Sequence, residues 1–151
     1  MRSNLEPATY RWSQTVPQKS RLQIEFSSGA ARARYDTVHG HQDVRQFNLP
    51  ADTIVLDDNA VHQYELAAMR YDRTTGGTQT FHAFIPQEGL PGVLTIQSAG
   101  VENINVGGKP ESCRHLVLIT ELAHIDLWTD PGEHLQKMEI AASGLIATRQ
   151  R

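Results

Sequence analysis

A chain of 151 residues, 39% of them hydrophobic, can bury one core without covalent staples, since domains of this length hide roughly 68–70% of their unfolded surface. A net charge of −3 supplies no basic field for nucleic acid or an anionic bilayer, so neither is expected as a partner. Cys113 is the single cysteine, which excludes an intramolecular disulfide and any zinc site built on paired thiolates.

Alternation dominates the first third. Tyr10, Trp12, Gln14 and Val16 share one face of an extended segment, and Leu22, Ile24 and Phe26 do so with Arg21, Gln23 and Glu25 between them. Ser27-Ser28-Gly29 reads as a turn, after which Ala31, Ala33, Tyr35 and Thr37 alternate with Arg32, Arg34 and Asp36. The pattern predicts a meander of three or four strands ending near Pro50.

The period then changes. Asp57 or Asp58 can cap a helix, because a carboxylate accepts the unpaired backbone N–H groups there and opposes the positive end of the helix dipole. Val61, Tyr64, Ala68 and Tyr71 fall on one helical stripe, predicting a helix that runs to about Arg70 or Asp72. Arg73-Thr74-Thr75-Gly76-Gly77 is the loop that ends it.

Strands return with Phe81, Ala83 and Ile85, then with Leu94 and Ile96, then with Ile104 and Val106. Pro86, Gly89, Pro91-Gly92, Gly100 and Gly107-Gly108 punctuate them. Leu116 to Ile119 is apolar on both faces and reads as a central strand covered on two sides. Asp130-Pro131-Gly132-Glu133 predicts a type II turn joining Ile125–Thr129 to Leu135–Ala141, and Leu145–Arg149 is the last strand.

With no linker, repeat or charge block, residues 1–151 are expected to form one mainly β (α+β) domain. Its predicted core is a curved antiparallel sheet or half-barrel wrapped over the one mid-chain helix; a β-sandwich is the competing arrangement. No apolar run approaches the roughly 20 residues that span a bilayer as a helix. Met1–Pro7 lacks the apolar stretch of a signal peptide, so the chain is expected either to act in the cytoplasm or to have had a leader removed.

Seven histidines raise the question of a metal. His39-Gly40-His41 could present two imidazoles on one side of a strand, but the arrangement also wants a glutamate shortly after and a third histidine; Asp43 follows too closely. His62 and Glu65 have the spacing of a di-iron helix, and such sites need four helices. No metal or other cofactor is therefore expected. His82, His115, His124 and His134 alternate with apolar neighbours and read as outward-facing or hydrogen-bonded residues.

No catalytic set emerges. Ser98-Ala99-Gly100 follows a strand with no helix after it, and Gly107-Gly108-Lys109 lacks phosphate-loop spacing. Cys113 and His115 share a side of one strand, but side chains two apart run parallel instead of converging, so Cys113 reads as a buried small residue.

Two segments carry a resemblance. Val55-Leu56-Asp57-Asp58-Asn59, the helix through Tyr64 and Phe81-His82-Ala83-Phe84-Ile85-Pro86 resemble bacterial envelope domains of uncharacterised function in which an Asp-rich turn precedes a helix. Ile125-Asp126-Leu127-Trp128-Thr129-Asp130 with Leu135-Gln136-Lys137-Met138-Glu139 is similar to their ending. Such domains resemble in architecture the half-barrel lipoprotein carriers of the LolA/LppX type. The resemblance implies a periplasmic or exported, non-enzymatic domain that cradles a lipid or acyl chain, and it brings no catalytic residues. Similar domains beside hydrolases imply an alternative role as a structural or accessory module for a protein partner.

Trp12, Tyr64, Tyr71, Phe84 and Trp128 are the candidate ligand-binding residues, on elements expected to face one another across sheet and helix. Ordinary core packing accounts for the same rings, because large aromatics dominate cores.

Overall fold

Two sheets account for most of the chain. A computed structural model describes residues 7–15, 20–36, 40–50, 52–57, 60–121 and 123–150. The alternating first third forms β1 (Thr9–Gln14), β2 (Ser20–Ser27), β3 (Ala30–Asp36) and β4 (Gln42–Asn48), paired antiparallel in chain order. In-register pairs such as Trp12↔Leu22, Leu22↔Tyr35 and Ala31↔Phe47 put one apolar set on a single face. Thr37 and Val16 lie outside the described residues.

The second sheet has seven strands in the order β11-β10-β9-β8-β7-β6-β5. They are β5 (Ile54–Val55), β6 (Thr78–Ile85), β7 (Leu90–Val106), β8 (Lys109–Ile119), β9 (His124–Thr129), β10 (Leu135–Ile140) and β11 (Leu145–Thr148). The β5–β6 pair is parallel, so the sheet is mixed. The protein is thus mainly β, with one α-helix among the described residues, as the patterning predicts.

The chain divides into two compact units, residues 1–57 with 82–91, and residues 58–81 with 92–151. In the first, Leu22, Ile24, Ala31, Ala33, Leu49 and Phe84 form a buried cluster, with Tyr10, Trp12, Phe26, Tyr35 and Phe47 packed around it. In the second, the sheet curls as a half-barrel, and helix α1 (Val61–Ala68) packs on β9 and β10. The helix is not long and apolar enough to cross a membrane.

Several local features differ from the sequence pattern, each for a physical reason. Helix α1 starts after Ala60, which provides no side-chain cap. Asp57 cannot serve as the cap because it is buried and accepts a hydrogen bond from Tyr10 Oη at 2.6 Å; Asp58 lies outside the described residues. The helix stops at Ala68, so Tyr71 is buried from the turn beyond it, its hydroxyl donating to the Gly77 carbonyl at 2.9 Å.

Leu94 and Ile104 belong to one 17-residue strand instead of two. Gly100 marks a register shift between Ser98 and Gly100, a bulge that absorbs an extra residue without ending the strand. Gly107 and Gly108 both adopt positive φ, +57° and +83°, as a two-residue hairpin turn of type I′ requires. In the turn before β10 the left-handed residue is Glu133 at φ +70°, and Gly132 is not in that region. The type II assignment is therefore replaced by a turn closed by Glu133 N–H to the Asp130 carbonyl at 3.0 Å, followed by a register shift between Leu135 and Lys137. Strand β8 lies between β7 and β9, as expected of a central strand, with Leu116 and Leu118 on its buried face.

Candidate functional site

Each unit presents one polar sheet face with chemistry on it. In the first unit, the residues that alternate with the core stand on the opposite side of β1–β4. Register places Arg11, Arg21, Arg32 and Arg34 there against two carboxylates, Glu25 and Asp36, with Gln23, Gln42, Val44 and Gln46 filling the rows. A half-open groove of about 190 Å³ runs across this face, lined by Gln23, Glu25, Arg32, Arg34, Gln42 and Val44.

Gln42 Nε2 donates to Asp36 Oδ1 at 2.9 Å, whereas the groove's arginines are weakly engaged. Arg34 Nη2 donates to Gln23 Oε1 at 3.4 Å, and its Nε stands 3.8 Å from Asp36 Oδ2. Among the described residues Arg11, Arg21 and Arg32 make no ion pair, although Glu25 lies directly across from Arg32. Donors on an exposed face with loose internal partners are available to a ligand. Arginine is suited to this because its planar guanidinium can grip a carboxylate with two parallel N–H bonds.

In the second unit a row of polar groups crosses β7, β8, β9 and β10. His115 Nδ1 is 2.8 Å from Glu102 Oε1, and its Nε2 is 2.7 Å from Asp126 Oδ1. Each ring nitrogen thus lies within hydrogen-bond distance of a carboxylate oxygen, one from β7 and one from β9. The imidazole stacks on Trp128, whose Nε1 donates to Glu102 Oε2 at 3.1 Å. Lys137 Nζ stands 4.4 Å from the Trp128 ring centroid and 2.9 Å from Glu139 Oε2. Hydrogen bonds from Trp128 and His115 hold the Glu102 carboxyl below its ordinary value.

This row is closed on itself. Both ring nitrogens of His115 are engaged by carboxylate oxygens. Its two carboxylates sit at opposite edges of the ring and do not converge on a point. Among the described residues no group of three or more His, Cys, Asp or Glu could hold a metal ion. Cys113, two residues away, is fully buried, and burial pushes its thiol up, away from the thiolate a nucleophile needs.

The remaining histidines fall where the alternation puts them. His82 Nδ1 is 3.4 Å from Asp52, His134 Nδ1 is 3.2 Å from Glu65, and His124 and His62 are exposed. His41 is exposed before β4, while His39 lies outside the described residues.

The five candidate ligand residues divide between the two units. Trp12 and Phe84 share the first unit's cluster, where Phe84 meets Phe47 at 4.9 Å and Phe26 edge-on at 6.5 Å between centroids. Tyr64, Tyr71 and Trp128 belong to the second, all three buried, Tyr64 from the helix and Trp128 within the polar row. The sequence does not announce the arginine face as a cluster, because its four cations are scattered over 24 positions. The signal that could have found it was already present: the polar partners of each apolar alternation share one side once register is fixed.

Fold and sites together define a mainly β protein whose exposed chemistry lies on two polar sheet faces. No known protein family, curated protein or solved structure matches the chain.

Proposed function

We propose that this protein is a non-enzymatic binding domain whose ligand seats on the polar face of the four-stranded sheet. The observation that carries this reading is the groove across β2, β3 and β4, where among the described residues Arg32 makes no ion pair and Arg34 is held only loosely by Gln23 and Asp36. The closed His115 row and the sealed Cys113 support a role without covalent or acid–base chemistry.

The reading is tested by recording backbone amide spectra of the labelled chain with mixtures of acidic, basic, sugar and lipid-like ligands. Shifts confined to the outer positions of β2–β4, and diminished by Gln42→Ala, are expected. A ligand that shifts only other elements would move the site away from this sheet.

A second reading, favoured by the half-barrel curl of the second unit's sheet, is an envelope domain that cradles a lipid or lipoprotein acyl chain. Tyr64, Tyr71 and Trp128 would then have to exchange part of their present packing for ligand contact. Mass spectrometry of an organic extract from natively purified protein tests it: a stoichiometric lipid whose binding weakens in Tyr64→Ala supports a carrier, and an empty extract sets it aside. An accessory role beside a protein partner remains compatible with the first reading, in which that partner supplies the ligand.

A further inference from the structure

The geometry points to a specific occupant for the groove: an extended acidic peptide segment of a partner protein, with two carboxylates two residues apart. The inference rests on the binding-domain reading and names its ligand class.

Arg32 and Arg34 stand on the same face of β3, two residues apart, so their Cα atoms are ~6.7 Å from one another along the strand. A peptide in the same extended conformation presents its i and i+2 side chains on one side at that same repeat. Two carboxylates so placed meet two guanidiniums without bending either chain. Each pair can form the forked, two-bond contact that guanidinium and carboxylate share.

The rest of the lining suits a peptide better than a membrane or a free anion. Gln23 and Gln42 flank the arginines; Gln23 accepts only a long bond from Arg34, and Gln42 gives one amide hydrogen to Asp36 at 2.9 Å, which leaves its second amide hydrogen and its oxygen for a peptide backbone. Glu25 is an acceptor for a peptide N–H, and would repel a uniformly anionic surface. Val44, 46% exposed, offers a small apolar contact beside Arg34, its cross-strand partner. Large apolar side chains that could insert between lipid tails are absent from this face among the described residues. The face carries an excess of cations in a chain whose net charge is −3, so the attraction is local to the sheet.

The test uses the full chain and a fluorescein-labelled peptide, Gly-Ser-Glu-Ser-Glu-Ser-Gly, read by fluorescence anisotropy at low salt. Two control peptides accompany it: one with Gln for both Glu, and one with the two Glu adjacent, which points them to opposite sides of an extended chain. Vesicles of phosphatidylglycerol and phosphatidylcholine form a further arm. Saturable binding of the first peptide is expected, weakened about 10- to 100-fold by R32Q/R34Q, as for loss of charge-assisted hydrogen bonds, and weakened by added salt.

R32Q/R34Q should unfold at the same denaturant midpoint as the parent, because both side chains are exposed. Equal affinity for the adjacent-Glu peptide would overturn the register argument. Unchanged affinity of R32Q/R34Q, or binding to vesicles alone, would overturn the acidic-peptide ligand. If no peptide binds while amide shifts from another ligand still map to β2–β4, this inference fails and the binding-domain reading stands; absence of both removes the two together.

Discussion

His115 lies stacked on Trp128 across β8 and β9, ring centroids 4.5 Å apart and planes 14° from parallel, with Glu102 bonded to both rings. The carboxylate bridges two aromatic side chains on neighbouring strands, and Lys137 stands over the indole as a cation on its π face. The arrangement links four strands, β7 to β10, through side chains.

That linkage predicts acid sensitivity. Glu102 is held below its ordinary value of 4.5, so its contribution to stability is complete above that value and is lost as pH falls through the lowered value in the folded state. Denaturant unfolding should therefore show Glu102→Gln less stable than the parent at about pH 6, with the gap narrowing as pH falls below 4.5. The transition can be followed by Trp128 fluorescence in a Trp12→Phe background. A gap that persists undiminished at lower pH would mean the carboxylate charge is not what joins the strands.

Phe84 tests the first unit's core. It is 0% exposed and touches rings from β2 and β4, Phe26 and Phe47, so truncation leaves a cavity that two sheet strands must line. Phe84→Ala should cost about 3–5 kcal/mol, and Phe84→Leu less. Chemical denaturation followed by circular dichroism measures both. Equal, small losses would show that neighbouring rings collapse into the space.

These two sites differ in how far the sequence announces them. Phe84 sits in a clean alternation, and its burial follows from period alone. The helix is readable from Val61, Tyr64 and Ala68, but its start is not, because Asp57 accepts from Tyr10, 47 residues away in sequence, instead of capping the helix end. The alternation leaves His115 either outward-facing or hydrogen-bonded; its partners Glu102 and Asp126 depend on a three-strand register that includes the shift at Gly100. Local period survives in sequence, whereas cross-strand neighbours are set by turns and bulges whose geometry a single residue can alter.

Cys113 should be chemically silent while the protein is folded. Its thiol is fully buried and shifted upward by burial, with Asp130 adding to the shift, so both access and thiolate fraction are low. An aromatic disulfide reagent at about pH 8 should label the native chain far more slowly than the urea-unfolded one. Cys113→Ser should destabilise by about 1–3 kcal/mol, because a hydroxyl placed there needs a hydrogen bond the thiol did not. Labelling at the unfolded rate in buffer would place the thiol in water.

Glu133 is the one described non-glycine residue with positive φ, +70°, a conformation that costs an ordinary L-residue about 1–2 kcal/mol. It is held there by the turn hydrogen bond to Asp130 and by Arg73, whose Nε lies 3.1 Å from Glu133 Oε1. The two contributions oppose one another on substitution. Glu133→Gly relieves the backbone strain but gives up an exposed ion pair worth about 0–1 kcal/mol. The gain should therefore be partly hidden in the parent and fully visible in an Arg73→Ala background, where no pair is left to lose. Unfolding midpoints of the four proteins in that cycle separate the terms. If Glu133→Gly destabilises even without Arg73, the glutamate must contribute through a contact other than that ion pair, and backbone relief is not the dominant effect at this turn.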